Sequence, residues 1–535
     1  MTNSKQGFWI LLATILGSSM VFIDVNVVNV ALPRIQLDLN ASAASVQWVV
    51  EAYSLFLGAL ILVGGSLGDR YGRRRIFALG IAIFTLTSLW CGITQDISQL
   101  IIARAFQGVG GALLTPGSLS LLRALFPEAQ RGKAIGLWSG FASITSALGP
   151  VIGGWVVQNF SWRWVFFINL PFALTVLLVL FWRVPESRSE QQTRLDIPGA
   201  ALTTLGLGSL VFGLIEANTL GLFSPLVIGC IVAGIFFLIG FVIREGHTVA
   251  PMMPLHLFRS RAFSGTNLMT LLLYAAIGGA LYFFPFNLIQ VQGYTATAAG
   301  SAFLPFTLLM FSLSRWSGGL VTRYGARLPL VVGPCIVAVG YAYFAISGIG
   351  ANYWIAYFPA IVLLGLGMSI TVAPLTTTVM GAVDDQYSGV ASGVNNAVAR
   401  IAGLLAIAVF GICMTYVFSF ILHQQLAALP ISPQLRDIVE AQSGKLTGIQ
   451  IPAGLDAQTY AAIKSAINVA FISGFHLIMW VAVVLAVGSA LCALLMISSR
   501  RSAPEECHME DRLCGDNGCT LTYTYRKVEK QPHDM

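Results

Sequence analysis

The chain reads as an all-α polytopic membrane protein with fourteen transmembrane helices. Three observations point there. It has 535 residues, 56% of them hydrophobic and only 10% charged, which leaves too little polar surface for a soluble protein of this length. Runs of about 20 apolar residues, each long enough to cross a bilayer, recur from one end to the other. Between two of them lies a cationic turn, Gly65-Ser66-Leu67-Gly68-Asp69-Arg70-Tyr71-Gly72-Arg73-Arg74-Arg75-Ile76-Phe77, which cannot lie in lipid and belongs at a membrane surface. Alternating strand-length segments are absent, which argues against a β-barrel. The net charge of +7 sits in loops and no soluble basic domain is present, so nucleic acid is excluded as a partner.

The spans follow in order. The first, 8–32, comes after Lys5; it is longer than a signal-peptide core of about 7–15 residues and lacks a small-residue cleavage site before Pro33, so it is read as a retained helix. Spans 46–68 and 76–94 flank the cationic turn, and 99–122, 133–157 and 163–182 follow. Next come 197–216 and 221–243, then 263–290, 300–321, 329–349, 354–378, 389–420 and 470–497. The connection 422–468 is polar, carries Pro430, Pro433 and Pro452, and is expected to form short surface helices. The tail 498–535 is polar and reads as disordered. With the N-terminus in the cytoplasm, the inner loops hold Arg70, Arg73, Arg74, Arg75, Arg123, Arg131, Lys133, Arg183, Arg188, Arg194, Arg244, Arg259, Arg261, Arg323 and Arg327. The outer ones hold only Arg34, Arg163, Arg436, Lys445 and Lys464. A miscount by one helix would scramble that segregation, so both termini are expected in the cytoplasm.

The cationic turn has an echo. Gly318-Gly319-Leu320-Val321-Thr322-Arg323-Tyr324-Gly325-Ala326-Arg327 matches it in register, with Thr322 where the first copy has Asp69. The first copy joins spans two and three; the second joins spans ten and eleven. A six-helix repeat would put it after span eight, so two extra helices, spans seven and eight, lie between parallel repeats. The expected division is 1–182 as one six-helix bundle, 183–262 as the inserted pair with its linkers, 263–497 as a second bundle, and 498–535 as the cytoplasmic tail. Cys91, Cys230, Cys335, Cys413 and Cys492 lie in apolar runs, and no disulfide framework is suggested. Cys507, His508, Cys514 and Cys519 match no standard zinc spacing.

Ionisable residues within the spans are the candidates for chemistry, because a charge there must face protein or water. Asp24 falls about 12 Å from the outer end of helix one, at a rise of about 1.5 Å per residue. Burial favours its neutral form, so it can hold or release a proton; the alternative is a structural acid bonded to neighbouring helices. Asn26 and Asn29 share a face that Asp24 does not. Either Asp24 faces the transport path while the asparagines bond across a helix contact, or the reverse holds. Arg104, about 7 Å deep in helix four, and Glu51 in helix two fall in the same outer-half layer. In helix nine, Tyr274, Tyr282, Phe283, Phe284, Phe286, Asn287 and Gln290 either line a cavity for a flat cation or pack as ordinary core. Arg315 and Arg400 are expected to snorkel to the cytoplasmic surface.

Four stretches resemble the major facilitator superfamily, in particular its fourteen-helix drug:proton antiporter branch. They are Asp24-Val25-Asn26-Val27-Val28-Asn29-Val30-Ala31-Leu32-Pro33; the Gly65–Phe77 turn; Arg104-Ala105-Phe106-Gln107-Gly108-Val109-Gly110-Gly111; and Gly140 followed by Gly149-Pro150-Val151-Ile152-Gly153-Gly154. Ser388–Asn396 is similar to the family as well. The resemblance covers roughly residues 8–497 and implies the major facilitator fold, two six-helix bundles plus two inserted helices. It implies that Asp24, Arg104 and Glu51 couple transport to protons, the alternative for Arg104 being a permanent structural ion pair. It makes Gly65, Asp69, Arg70, Gly72 and Arg73 a cytoplasmic gate rather than a mere topology signal. It makes Gly140, Gly149, Pro150, Gly153 and Gly154 an antiporter motif that marks exporters. Gln107, Tyr282, Asn287 and Gln290 are the residues expected at a substrate cavity.

The function implied is proton-coupled multidrug efflux of hydrophobic, cationic compounds by alternating access in the bacterial inner membrane. No cofactor and no metal are called for. A periplasmic adaptor and an outer-membrane channel are partners the resemblance allows and the sequence does not show. Export of a metabolite, amino acid or siderophore is the alternative. A membrane-embedded enzyme or receptor is more remote, since the chain has no P-loop, no His-Glu-x-x-His motif and no sizeable soluble domain.

Overall fold

The computed structural model describes residues 4–188, 196–248, 251, 253–384 and 387–497; among these the chain is helical and contains no strand. Fourteen helices are long and apolar enough to cross a membrane. They are α1 Ser4–Asp38, α2 Ala43–Tyr71, α3 Arg73–Ile93, α4 Ile97–Leu125 and α5 Glu128–Asn159, then α6 Trp164–Arg183, α7 Ile197–Leu220 and α8 Pro225–His247. The rest are α9 Arg261–Val291, α10 Ala296–Ser314, α11 Arg327–Phe344, α12 Tyr353–Gly381, α13 Ser388–Ala427 and α14 Ala457–Met496. The chain is therefore a multi-pass membrane protein with the expected number of spans. Side-chain caps start several of them: Ser42 Oγ accepts from the Ser45 N–H at 3.1 Å, Asp96 from Gln99 at 2.9 Å and Asp196 from Gly199 at 3.0 Å. Large exposed apolar residues such as Phe181, Trp182, Phe236 and Val484 would be a liability in water and form the lipid-facing surface here.

The first six helices pack together, as do the last six, which is the major facilitator arrangement. The α7–α8 pair lies beside the seam between these halves. A buried cluster of Ala44 and Leu55 from α2, Leu207, Val211 and Ile215 from α7, and Leu404 and Ala408 from α13 places α7 against both halves at once. Helix alternation puts the 65–77 turn at one end of the molecule, the turn end, and the connection between α13 and α14 at the other, the loop end.

The hydrogen bonds that join the halves lie at the loop end. Gln36 Nε2 donates to the Lys445 carbonyl at 2.9 Å. Gln290 Nε2 donates to the Pro33 carbonyl and to Gln36 Oε1, both at 3.3 Å. Lys445 Nζ donates to Asn40 Oδ1 at 2.7 Å, and the Thr297 N–H to Gln158 Oε1 at 3.3 Å. Nearby, α5 and α10 touch backbone to backbone: a Cβ on Gly154 would strike the Ala296 carbonyl, and one on Gly300 the Pro150 carbonyl. Among the described residues no such bond joins the halves at the turn end. Among the described residues, the hydrogen bonds that hold the halves together are thus confined to the loop end.

The connection expected over 422–468 is shorter than expected. Helix α13 continues to Ala427 and α14 begins at Ala457, leaving a short helix Pro433–Glu440 and a 3-10 turn Ser443–Gly448 between them. Asp456 accepts the Thr459 N–H at 2.9 Å, which holds its carboxyl below the usual range, and Ile463, Ala466 and Ile467 bury the polar-looking first turns of α14. The repeated turn has a repeated geometry. Gly72 and Gly325 take φ +114° and +78°, and Arg70 and Arg323 lie over Tyr71 and Tyr324 at 5.4 and 5.3 Å. The Thr322 and Arg315 side chains, Arg194, and the tail with Cys507, His508, Cys514 and Cys519 lie outside the described residues.

Candidate functional site: a buried polar hub and an interface stripe

Asp24 lies on the face of α1 that enters the first bundle, where it is 0% exposed. Arg104 and Gln107, three residues apart on α4, point to the same place. Arg104 Nη1 meets Asp24 Oδ2 at 2.5 Å, and Gln107 Nε2 donates to Asp24 Oδ1 at 3.0 Å. Arg104 Nη1 also donates to Gln107 Oε1 at 2.8 Å, and its Nε to the Val49 carbonyl of α2 at 3.0 Å. Asn169 of α6 reaches Asp24 Oδ1 at 3.5 Å and Ser88 Oγ of α3 at 3.0 Å. The Arg104 guanidinium lies 4.2 Å from the Tyr53 ring centroid. Five helices thus converge on one carboxylate, and both its oxygens act as acceptors. Arg104 sets the opposite charge directly against that carboxylate.

The expected layer of three ionisable groups is therefore incomplete. Glu51 is fully buried but does not join the hub, and neither of its oxygens has a hydrogen-bond partner among the described residues. Burying a carboxylate there without a partner carries a heavy desolvation cost. It lies on the stripe Gln47–Glu51–Gly58, one face of α2 that runs antiparallel to α13. Gln47 packs on Gly411, and a Cβ on Gly58 would lie 3.9 Å from Arg400 Cβ. Both contacts are the same number of residues apart on each helix, so the register is continuous and sets Glu51 opposite Ile407. Arg400 thus corrects the expected snorkelling: it is about 18 Å along α13 from Ser388, facing the other half at mid-span of α2.

The other expected residues divide. Gln107 belongs to the hub rather than to an open cavity. Tyr282 and Phe286 of α9 border a narrow space with Gln36 and Gln47. Asn287 is buried within the second half and donates to Tyr357 Oη at 3.5 Å. Gln290 is in the loop-end closure, where its Oε1 also bonds Thr447 Oγ1. Phe284 packs against Phe303, Phe344 and Tyr357 as core. Asn26 does bond across a helix contact, donating to Ser146 Oγ of α5 at 3.2 Å. On α5, Gly149 and Gly153 fit against Asn26 and Val27 of α1, whereas Gly140 has no neighbour within 4 Å.

At the 65–77 turn, Asp69 and Arg73 form an i,i+4 ion pair at 2.8 Å, Gly65 rests against Pro116, and Arg70 is exposed. Glu186, which sequence reasoning did not single out, holds the turn. Its Oε1 accepts the Arg74 and Ser187 N–H groups at 2.9 and 3.0 Å, and it sits where a Gly72 Cβ would fall, at 2.8 Å. Asn169 and Ser88 were likewise missed; a lone amide inside the apolar run of α6 was the available signal.

A sequence profile of the Major Facilitator Superfamily matches residues 14–407. The tetracenomycin C resistance and export protein of Streptomyces glaucescens is 34% identical over 507 residues, covering 93% of this chain and 92% of its own. The multidrug resistance protein Stp of Mycobacterium tuberculosis is 33% identical over 508 residues, with 93% and 92% covered. The puromycin resistance protein pur8 of Streptomyces alboniger is 34% identical over 414 residues, with 76% and 82% covered. Among solved structures, a bacterial homologue of the human lysosomal transporter spinster, inward-facing and unoccupied, superposes with TM-score 0.67 at 16% identity over 93% of this chain and 99% of that one. The inward-open xylose transporter XylE of E. coli gives 0.54 at 14% identity over 92% and 96%. These two likenesses concern the fold alone.

Proposed function

Since this chain belongs to the Major Facilitator Superfamily, we propose that it is a proton-coupled exporter of hydrophobic, antibiotic-like compounds working by alternating access. Relatives matched along nearly their whole length carry resistance and export names, which supports the reading. Charge segregation supports placing the turn end, with both termini, in the cytoplasm. The loop end, where hydrogen bonds join the halves, then faces outward, which supports an inward-facing reading of this state.

The observation that carries the coupling scheme is the Asp24–Arg104 pair at 2.5 Å with both groups buried. In this state Asp24 has given up its proton and Arg104 has replaced it. Substrate enters from the cytoplasm, the halves rock, and in the outward state the pair loosens so that Asp24 takes a proton from outside. Gly154 and Pro150 of α5 support the return stroke by letting α5 and α10 meet at the loop end. Glu51, on the face that moves against α13, holds a second proton during that movement. The 65–77 turn, braced by Glu186 within its own half here, is free to dock on the second half when the cytoplasmic side closes. Delivery through a periplasmic adaptor and outer-membrane channel would be a separate step that this cycle does not require.

The test is transport in proteoliposomes with an imposed pH gradient. Rhodamine 6G accumulation that nigericin collapses is the expected result; accumulation indifferent to the gradient, or driven only by sodium, would remove proton coupling.

A further inference from the structure

Among the described residues, Arg400 is a charge without an ion-pair partner in the seam between the halves. Its guanidinium is permanently charged, the residue is half-buried on α13, and it makes no ion pair or hydrogen bond with any described residue. Its surroundings give no counter-charge. Across the seam stand Gly58 and the Tyr53 side of α2, and around it on α13 lie Ala402, Leu404 and Ile407, all buried and apolar. The two nearby acids are engaged otherwise. Asp24 is saturated by Arg104 and Gln107, and Glu51 is one turn above Ser54, about 10 Å along α2 from Gly58, sealed and without a donor.

A cation held at mid-span without a partner is costly, and such residues mark ligand pathways. The cost falls when an anionic group arrives. The bonds that join the halves lie beyond Glu51, at the loop end, and Arg400 faces Gly58 on the turn-end side of Glu51, so a compound approaching from the turn end meets Arg400 before it meets Glu51. A permanently cationic compound would be repelled there. We infer that Arg400 is a substrate-recognition residue and that the preferred cargo of this exporter carries an acidic or strongly hydrogen-bond-accepting group, such as a sulfonate, carboxylate or phenolate, on an apolar ring system. The inference rests on the export reading above and replaces the cationic preference that the family resemblance implied. The planar guanidinium supplies a fork that binds an oxyanion through two bonds.

Two dyes with one ring system isolate the charge. Sulforhodamine B is a net monoanion and rhodamine 6G a monocation. Binding to purified full-length protein is measured by fluorescence anisotropy for wild type, Arg400→Gln and Arg400→Lys. The expected result is that Arg400→Gln weakens sulforhodamine B by roughly ten- to hundredfold and leaves rhodamine 6G within about twofold or improves it. Arg400→Lys, which keeps the charge, retains most of the anion affinity. An equal loss of both dyes in Arg400→Gln, or no loss of either, overturns the inference while the export reading stands. If Arg400→Gln does not fold, Arg400→Lys and the wild-type preference decide: a wild type that favours the cation overturns it. A wild type that binds neither dye overturns the export reading and this inference together.

Discussion

Replacing Asp24 with asparagine removes one negative charge and turns an acceptor into a donor. The hub cannot absorb that change. Arg104, Gln107 and Asn169 all present N–H groups to Asp24, so the new amide faces at least one donor, and the buried Arg104 keeps its charge without a partner. For charge centres about 4 Å apart, as in a hydrogen-bonded pair, the lost attraction is about 4 kcal/mol at an effective dielectric near 20. Measured breakage of buried pairs costs about 3–5 kcal/mol. Asp24→Asn should therefore lower unfolding stability in detergent by about 3–5 kcal/mol. The double variant Asp24→Asn/Arg104→Gln discards both charges and should recover at least about 2 kcal/mol relative to the sum of the two single changes. Denaturant unfolding followed by tryptophan fluorescence reads all four corners of the cycle. If Asp24→Asn stays within about 1 kcal/mol of wild type, or the two changes simply add, the direct desolvated pair is refuted.

Glu51 should behave differently. As a neutral acid without partners it resembles glutamine, so Glu51→Gln should fold and bind dye like wild type but lose turnover; equal turnover would exclude an ionisation step at Glu51. At Gly154 a side chain must push α5 from the Ala296 carbonyl, so Gly154→Val should weaken loop-end closure and cut transport at least about tenfold, with spin-label distances across that end lengthening; unchanged distances would contradict the contact. Gly72→Ala forces a left-handed φ and a clash with Glu186, a destabilisation of about 1–3 kcal/mol visible in thermal unfolding, and no change would contradict the turn geometry. Whatever the proton count, export of the sulforhodamine B monoanion moves two more charges across the membrane than export of the rhodamine 6G monocation, so 100 mV imposed with valinomycin should raise the attainable gradient of sulforhodamine B roughly 2,000-fold more than that of rhodamine 6G; equal responses would contradict the scheme.

Fold class was legible because hydropathy and charge segregation act over whole spans, and the count of fourteen helices followed from them. The start of α14 was not, because Ala457–Ser465 carries little hydropathy and becomes helical through the Asp456 cap and the burial of Ile463. For the site, sequence fixes depth along a helix far better than direction around it. Asp24, Arg104 and Glu51 were read as one layer, yet azimuth sends two of them into the first bundle and the third to the seam. Arg400 was misread for a related reason. It was placed near the cytoplasmic end of its span and expected to reach the surface, whereas the register of α13 with α2 sets it opposite Gly58, at mid-span of α2. Glu186 gave no signal because its role depends on a chain reversal after α6 that brings it back to Gly72.

The account turns on whether Asp24 exchanges its proton for substrate. Sulforhodamine B or rhodamine 6G added to weakly buffered purified protein, with released protons followed by a pH dye, measures that exchange directly. Wild type, part of which holds Asp24 protonated in the outward state before dye is added, should acidify the solution as dye draws it into the deprotonated inward state; Asp24→Asn should not, although it still binds the dye. Asp24→Asn protein that releases as many protons per bound dye as wild type would show that the coupled proton resides elsewhere.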